Sequence, residues 1–165
     1  MSLIRSFSPV ADQAARILVL GSMPGVRSLE TNQYYAHPRN AFWRIMGTIL
    51  NFSVEVPYQI RIETLLSVHI ALWDVLHACV RAGSLDGAIE KGSRVPNDFP
   101  SFFKSHPDIE LVCFNGAEAE KSFNTYALPK LDIGGITYIR LPSSSPAHAV
   151  SFEQKVGAWR AALRA

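Results

Sequence analysis

Hydrophobic residues along the chain form four short runs, separated by longer stretches in which they recur every three or four positions. The runs are rich in Ile, Val and Leu and lack regular polar alternation, which is typical of strands covered on both faces. We therefore predict four buried strands, at residues 16–20, 68–72, 110–114 and 136–141.

The stretches between the predicted strands carry helical patterns. Residues 42–50 and 58–66 each place their apolar side chains on one face at 3.6-residue spacing, which predicts two amphipathic helices. Residues 116–126 are rich in Ala and Glu and predict a third. A fourth helix begins after Ser151, because Ser151 and Gln154 form a capping box ahead of an apolar stripe.

Residues 82–107 interrupt this alternation. Their glycines and prolines predict a long loop, with a short helix after Asn97. We see no internal repeat and no linker, so we expect a single domain over residues 1–165. Strands that alternate with helices favour a parallel sheet between two helical layers. The predicted fold class is therefore α/β, a three-layer α/β/α sandwich around a four-stranded parallel sheet.

Composition excludes several classes of protein. Of the 165 residues, 48% are hydrophobic and 18% charged, which excludes a disordered chain. Two cysteines, Cys79 and Cys113, are too few for a disulfide framework or a thiolate cluster, and no histidine is paired with carboxylates at ligand spacing. We expect no metal and no cofactor. The apolar runs are too short to span a membrane and residues 1–15 lack a signal peptide, so we expect a cytoplasmic protein.

Small, amide or acidic side chains follow each predicted strand. Since the carboxyl ends of parallel strands meet at one edge of a sheet and bind ligands there, these segments should converge. Each alone is also explained by a turn or a cap, and Asp74 can cap residues 75–80. The motifs GxxxxGK[ST], GxGxxG and GxSxG are absent, which disfavours a nucleotide-binding or α/β-hydrolase site. The segments that follow the four predicted strands are, in chain order, GSMPG (21–25), Trp73-Asp74, Asn115-Gly116 and PSSSP (142–146).

The densest group of candidate side chains is YYAHPRNAFW, at residues 34–43. An aromatic face can stack on a planar base, and an amide can read the hydrogen-bonding edge of that base. The structural alternative is equally good, because Asn40 suits the N-cap of a helix that begins at Ala41, and Tyr34, Tyr35 and Trp43 suit a core. Residue types alone leave both interpretations open.

Four motifs in order, GSMPG, YYAHPRNAFWRIM, NGAEA and LPSSSPAHA, resemble the uracil-DNA glycosylase superfamily. Within it, they are most similar to the hypoxanthine-DNA glycosylase branch (family six), with the mismatch-specific uracil/thymine glycosylases as near relatives. The resemblance covers residues 16–159. It implies a monofunctional enzyme that flips a deaminated base, hypoxanthine or uracil, out of DNA and hydrolyses its N-glycosidic bond, leaving an abasic site. The alternative is a module of the same fold that recognises damaged bases without cutting.

The resemblance also implies roles for individual residues. Asn40 ends HPRN and matches the catalytic amide of the hypoxanthine branch, whereas Met23 stands where several relatives place a water-orienting Asp or Asn. An amide orients water rather than acting as a strong base. Tyr35 is expected to stack on the flipped base, in a pocket formed by Gly21, Ser22, Met23, Pro24, Tyr35, His37, Trp73, Asp74 and Asn115. Contacts with DNA are expected from Arg39, Ser143, Ser144, Ser145, Pro146 and His148.

The loop after the fourth strand departs from the relatives at two positions. Leu141 stands where other branches place a His, so help to the leaving base from that position is missing. His148 stands where the branch pattern has Asn. It could fill the gap left by the flipped base, contact a phosphate, or donate to the base, and the sequence does not choose among these.

The net charge of +2 does not indicate a nucleic-acid partner, but its distribution does. Residues 21–44 hold three arginines against Glu30 alone, and residues 135–150 hold Arg140 and no acid. An enzyme that scans DNA needs positive charge concentrated on the face that contacts DNA, and it does not need a high net charge. We therefore expect a monomer, associated with the nucleoid, that binds double-stranded or alternatively single-stranded DNA containing deaminated bases.

Overall fold

The structure, a computed structural model, describes residues 2–164. Four parallel strands form its central sheet, in the order β3-β2-β6-β7, and three short strands form a separate antiparallel sheet, in the order β1-β4-β5. The predicted fold class is confirmed, and each predicted strand of the central sheet lies within two residues of its observed bounds. The strands are β1 (Leu3–Arg5), β2 (Ile17–Gly21), β3 (Ile70–Asp74), β4 (Leu76–Val80), β5 (Val95–Pro96), β6 (Leu111–Asn115) and β7 (Thr137–Leu141).

The helices occupy the predicted segments, with one addition. The capping box is present, because the Ser151 and Gln154 side chains each accept a hydrogen bond from the other residue's backbone N–H. The short helix expected after Asn97 is also present, and no prediction covered the first helix. No helix within residues 2–164 is long and apolar enough to cross a membrane. The helices are α1 (Val26–Thr31), α2 (Phe42–Leu50), α3 (Tyr58–Ser67), α4 (Phe99–Ser105), α5 (Ala117–Ser122) and α6 (Phe152–Arg164), with a π-helical turn at Phe123–Ala127.

Two hydrophobic cores lie on opposite faces of the central sheet. Successive side chains of a strand point to opposite faces, so Leu18 and Leu20 of β2 enter one core while Val19 enters the other. The first core is closed by α4 and α5, and the second by α2, α3 and α6. This arrangement gives the three layers and leaves the carboxyl edge of the sheet to the loops.

The segment after Asp74 is a strand and not a capped helical segment, so the expectation that Asp74 caps residues 75–80 is wrong. Strand β4 pairs with β1 through Leu3↔Val80 and with β5 through Leu76↔Pro96. Its partners lie far away in sequence, and tertiary pairing of this kind overrides the local pattern. The small sheet anchors both ends of the long loop at residues 82–94.

The register of the central sheet brings the strand ends level with one another. Gly21 is paired with Asp74, and Asn115 is paired with Leu141. The residues that follow the strands therefore meet at one edge, as the sequence predicted. The candidate site lies at this edge.

Candidate active site

A close approach at Gly21 defines the centre of the edge. A Cβ atom at this position would lie 2.6 Å from Asp74 Oδ1 and 3.0 Å from the Tyr35 hydroxyl oxygen. Both side chains therefore crowd the same point above the end of β2, and only glycine leaves room for them.

Asp74 presents a buried carboxyl group to this point. The residue is 3% exposed, and its Oδ2 atom has no hydrogen-bond partner among the described residues. Burial raises the pKa of Asp74 to about 7, with a further contribution from the negative charge of Asp86 and an opposing one from Arg81. Near neutral pH the carboxyl group is therefore partly protonated and can both donate and accept hydrogen bonds.

Tyr35 supplies the second buried polar atom. Its ring stacks on Phe42 with the centroids 4.1 Å apart and the planes inclined by 24°. Phe42 therefore covers one face of the Tyr35 ring. Its hydroxyl group has no hydrogen-bond partner among residues 2–164. Burial and the charge of Asp74 raise the pKa of Tyr35, and the nearby Asn115 side chain lowers it, although its position does not meet the geometry of a hydrogen bond to the hydroxyl group. The backbone is left-handed at φ +54°, an uncommon conformation for a bulky residue that often marks functional sites.

Asn115 holds the loop that follows β7. Its Oδ1 accepts from the Ser144 backbone N–H at 2.8 Å, and its Nδ2 donates to Ser144 Oγ at 2.9 Å. The Ser144 carbonyl oxygen in turn accepts from the Ala41 N–H at 2.9 Å. The side chain expected in the base pocket thus fixes the Ser–Pro loop, residues 142–146, against the segment that carries Asn40.

Asn40 combines a structural contact with free hydrogen-bonding groups. Its Oδ1 accepts from the Phe42 N–H at 2.9 Å, but α2 begins at Phe42 and its N-cap is Ala41, so the expected N-cap position is wrong by one residue and Asn40 bonds the first helical N–H from the residue before the cap. This contact occupies one lone pair of Oδ1, and the amide NH₂ group makes no hydrogen bond to another described side chain or backbone group. A half-buried amide with these groups available can orient a water molecule.

Two of the expected pocket residues pack into the core instead. Trp73 packs between Phe99 and Phe102, and its indole N–H donates to the Phe7 carbonyl oxygen at 3.0 Å. Met23 is 7% exposed and belongs to the same core. Both side chains are directed into the core that lies under the carboxyl edge of the sheet, and not into the predicted pocket.

The remaining pocket candidates differ in burial: Pro24 is buried, Ser22 half-buried and His37 exposed. The Ser22 hydroxyl donates to Asp86 Oδ1 at 2.6 Å, and the Pro24 carbonyl oxygen accepts from Arg81 at 2.6 Å. His37 is exposed, and its Nδ1 accepts from the Arg39 N–H at 3.1 Å. A contact between His37 and a base remains a prediction.

Arg81 is a structural residue of the site that sequence reasoning missed. It is 5% exposed, and its guanidinium donates to the carbonyl oxygens of Pro24 and Gly83. With Asp86 and Ser84, which bond Ser22 and the Val26 N–H, it fastens the GSMPG loop, residues 21–25, to the long loop after β4. The sequence offered one signal, a charged residue directly after an apolar strand.

The sequence and the fold agree with one family of known proteins. Residues 8–163 match the family described as the Uracil DNA glycosylase superfamily. The chain belongs to this superfamily. It is by family a DNA glycosylase, an enzyme that hydrolyses the N-glycosidic bond of a base in DNA.

Individual glycosylases of the superfamily are similar over almost the whole chain. Two proteins named hypoxanthine DNA glycosylase are 35% identical (Methanosarcina acetivorans) and 37% identical (Methanosarcina barkeri) over 161 residues, which are 97% of this chain and 98% of each relative. A solution NMR structure of a Methanosarcina acetivorans protein, proposed to be a uracil DNA glycosylase, has a TM-score of 0.82 and 34% identity. That comparison covers 99% of this chain and 98% of the other.

The structure brings together only some of the residues of this glycosylase that are predicted to contact DNA. Arg39, Ser144, Pro146 and His148 line one surface cavity of about 450 Å³, so four of the six expected contact residues are brought together. Arg140 forms an ion pair with Glu120 at 3.5 Å, so an acidic side chain lies beside the arginine of β7. The basic face therefore centres on the start of α2 and not on β7.

Proposed function

We propose that this glycosylase removes hypoxanthine, and also uracil, from DNA and leaves an abasic site. The observation that carries the proposal is the pair of buried polar atoms, Asp74 Oδ2 and the Tyr35 hydroxyl, that lack partners at the carboxyl edge of the sheet. Buried polar atoms in folded proteins are nearly always paired, so such a pair at a ligand-binding edge is explained by a ligand that bonds them. The similarity to two hypoxanthine DNA glycosylases supports the choice of base.

The chemistry of Asp74 suits the edge that hypoxanthine and uracil share. Both bases present a ring N–H donor beside a carbonyl acceptor. A protonated carboxyl group offers the complementary pair, an acceptor and a donor. Since the pKa of Asp74 is raised to about 7, this protonated form is available near neutral pH. The face of the Tyr35 ring opposite Phe42 would stack on the base while Phe42 supports the other face.

Cleavage requires stabilisation of charge on both sides of the breaking bond. The leaving base gains negative charge, and the sugar gains positive charge. A hydrogen bond donated by the Asp74 carboxyl to the base carbonyl oxygen would stabilise the first. Asn40 would position the attacking water through the remaining lone pair of Oδ1 and through its NH₂ group. The flipped nucleotide enters at a cost of about a few kcal/mol, which damaged or mispaired bases reduce.

Substrate and location follow from this activity. We propose double-stranded DNA as the substrate, a monomer as the active form, and the nucleoid in the cytoplasm as its location. The exposed arginines at the start of α2 supply positive charge beside the Ser–Pro loop, which favours approach to a phosphate backbone.

An excision assay tests the proposed activity. Duplexes that carry one deoxyinosine or one deoxyuridine are incubated with the protein, and abasic sites are then cleaved with alkali. We expect strand breaks at deoxyinosine and at deoxyuridine, and none in a matched duplex with deoxyadenosine. If no deaminated base yields an abasic site, the catalytic assignment is wrong and the chain is a binding module.

Replacing Tyr35 with alanine tests the stacking role. Base–aromatic stacking contributes about 1–3 kcal/mol per base, so Tyr35→Ala should lower kcat/KM for hypoxanthine excision by about 5- to 150-fold. Tyr35→Phe is the matched control: it keeps the ring on Phe42 and removes only the hydroxyl group, so it should lose the hydrogen bond to the base alone, about 0.5–1.5 kcal/mol or about 2- to 13-fold in kcat/KM. Unchanged kinetics in Tyr35→Ala would remove Tyr35 from the pocket.

A further inference from the structure

A basic cavity lies beside the proposed base pocket, between the start of α2, the Ser–Pro loop and the first turn of α6. Its volume is about 450 Å³, and its polar lining includes Arg39, Arg44, Ser144, His148 and Lys155. Among the described residues, no Asp or Glu lines this cavity. A cavity with three permanent positive charges and no negative one favours an anion.

Lys155 is the least expected of these residues. It is 5% exposed, and its Nζ donates to the Ser145 carbonyl oxygen at 3.1 Å. Burial lowers its pKa, and the positive charge of Arg44 lowers it further. Within residues 2–164, no ion pair includes Lys155, Arg44 or Arg39. An ammonium group held in this way is costly unless an anion compensates its charge, and two of its three N–H donors remain available.

Arg44 is held in place without a carboxylate. Its guanidinium lies over the Phe152 ring, 4.9 Å from the ring centroid, so α2 and α6 meet through a cation–π contact. Within residues 2–164 the guanidinium forms no ion pair, so its N–H groups are available to an anion. A planar guanidinium binds phosphate oxygens in a bidentate manner.

Ser144 adds a neutral donor to the same wall. Its Oγ accepts from Asn115 Nδ2, which leaves the hydroxyl hydrogen free to donate. Beyond Arg44 and Phe152 the groove continues into a second cavity of about 320 Å³, where Phe52 and Val54 provide apolar walls. A charged group followed by apolar surface matches a phosphate followed by a sugar.

We propose that the basic cavity binds one phosphodiester group of the damaged DNA strand, with Arg44 and Lys155 as its principal ligands. The inference rests on the proposed function for the identity of the ligand as DNA. Because Lys155 also bonds Ser145, occupation of the cavity would draw the Ser–Pro loop and the strand together. Lys155 would thus connect phosphate binding with the position of the loop beside Asn40.

The dependence of binding on salt tests this site without any cleavage. Binding to a duplex with a stable abasic-site analogue is measured by fluorescence anisotropy across a series of NaCl concentrations. Loss of one neutralised phosphate lowers the slope of log Kobs against log[NaCl] by about 0.9. We expect Arg44→Gln and Lys155→Met each to lower the slope. The double variant should lower it by about 0.9 in total, since both cations neutralise the same phosphate.

A control variant separates this effect from a general loss of charge. Arg16→Gln removes one positive charge at the opposite edge of the sheet, where Arg16 pairs with Glu110, and should leave the slope unchanged. Unchanged slopes in Arg44→Gln and in a folded Lys155→Met would overturn the inference, even if hypoxanthine is excised. Reduced slopes in a protein that excises no base would uphold the phosphate site and reject the proposed function alone.

Discussion

Replacing Asn40 with alanine is expected to slow hypoxanthine excision on the order of 100- to 1,000-fold, as loss of one preorganised polar group does at other active sites. Asn40 is a half-buried amide directly before Ala41, whose N–H bonds the Ser144 carbonyl oxygen, and no other described side chain or backbone group takes its NH₂. Single-turnover assays on a deoxyinosine duplex measure the effect on the chemical step directly.

Asn40 also bonds the Phe42 N–H at the start of α2, and a second substitution separates the two roles. Asn40→Ala should lose about 1 kcal/mol of stability with this hydrogen bond. Asn40→Ser keeps a side-chain acceptor for the Phe42 N–H but lacks the amide, so it should be nearly as stable as wild type and yet strongly impaired. Met23→Leu, a volume-conserving change in the core, should remain active. Full activity in a stable Asn40→Ser protein would assign the residue to the hydrogen bond with the Phe42 N–H alone.

Asp74→Asn should change how stability depends on pH. The folded state raises the pKa of Asp74 from 3.8 to about 7, so it binds the proton more tightly than the unfolded chain does. The resulting stabilisation is complete below about pH 4 and is lost as the pH rises toward 7. From pH 5 to pH 8 the wild type should lose about 2 to 3 kcal/mol relative to Asp74→Asn. This corresponds to a Tm difference that grows by about 5–10 °C, measured by thermal denaturation.

Asp98 provides a control of opposite sign. Hydrogen bonds from the Ser101 hydroxyl and backbone N–H lower the pKa of Asp98, so its ionised form stabilises the fold. Asp98→Asn should therefore be less stable than wild type at pH 8, and the difference should shrink as the pH falls below 4. Because Asp86 and Arg81 face Asp74, their charges contribute to the first result. A Tm difference for Asp74→Asn that is equal at pH 5 and pH 8 would contradict the raised pKa.

Parts of the site that depend on chain order could be predicted from the sequence. The parallel strands place residues 21, 74 and 115 and the Ser–Pro loop at one edge whatever their side chains do. Motif order then pointed to Asn40 and Tyr35, and the structure keeps both beside that edge through Ala41–Ser144 and through the contacts of Tyr35 with Gly21.

Side-chain direction could not be predicted in the same way. Asn115 ends β6 and Trp73 is the next-to-last residue of β3, yet Asn115 turns to Ser144 and Trp73 turns into the aromatic core. Arg81 and Lys155 gave no motif, because their carbonyl partners, Pro24 and Ser145, are defined by loop geometry. Any residue supplies a backbone carbonyl, so such partnerships leave no trace in residue types.

Hydrophobic periodicity was sufficient to predict the layers and the strands of the central sheet, because these depend on local patterns that repeat along the chain. The order of the motifs was sufficient to predict the family. The antiparallel sheet, the raised pKa of Asp74 and the basic cavity depend on groups far apart in sequence. The β4 pairing spans residues 3 to 96, and the cavity joins Arg44 to Lys155. Burial and electrostatic fields act through space, and their strength is known only when distances are known.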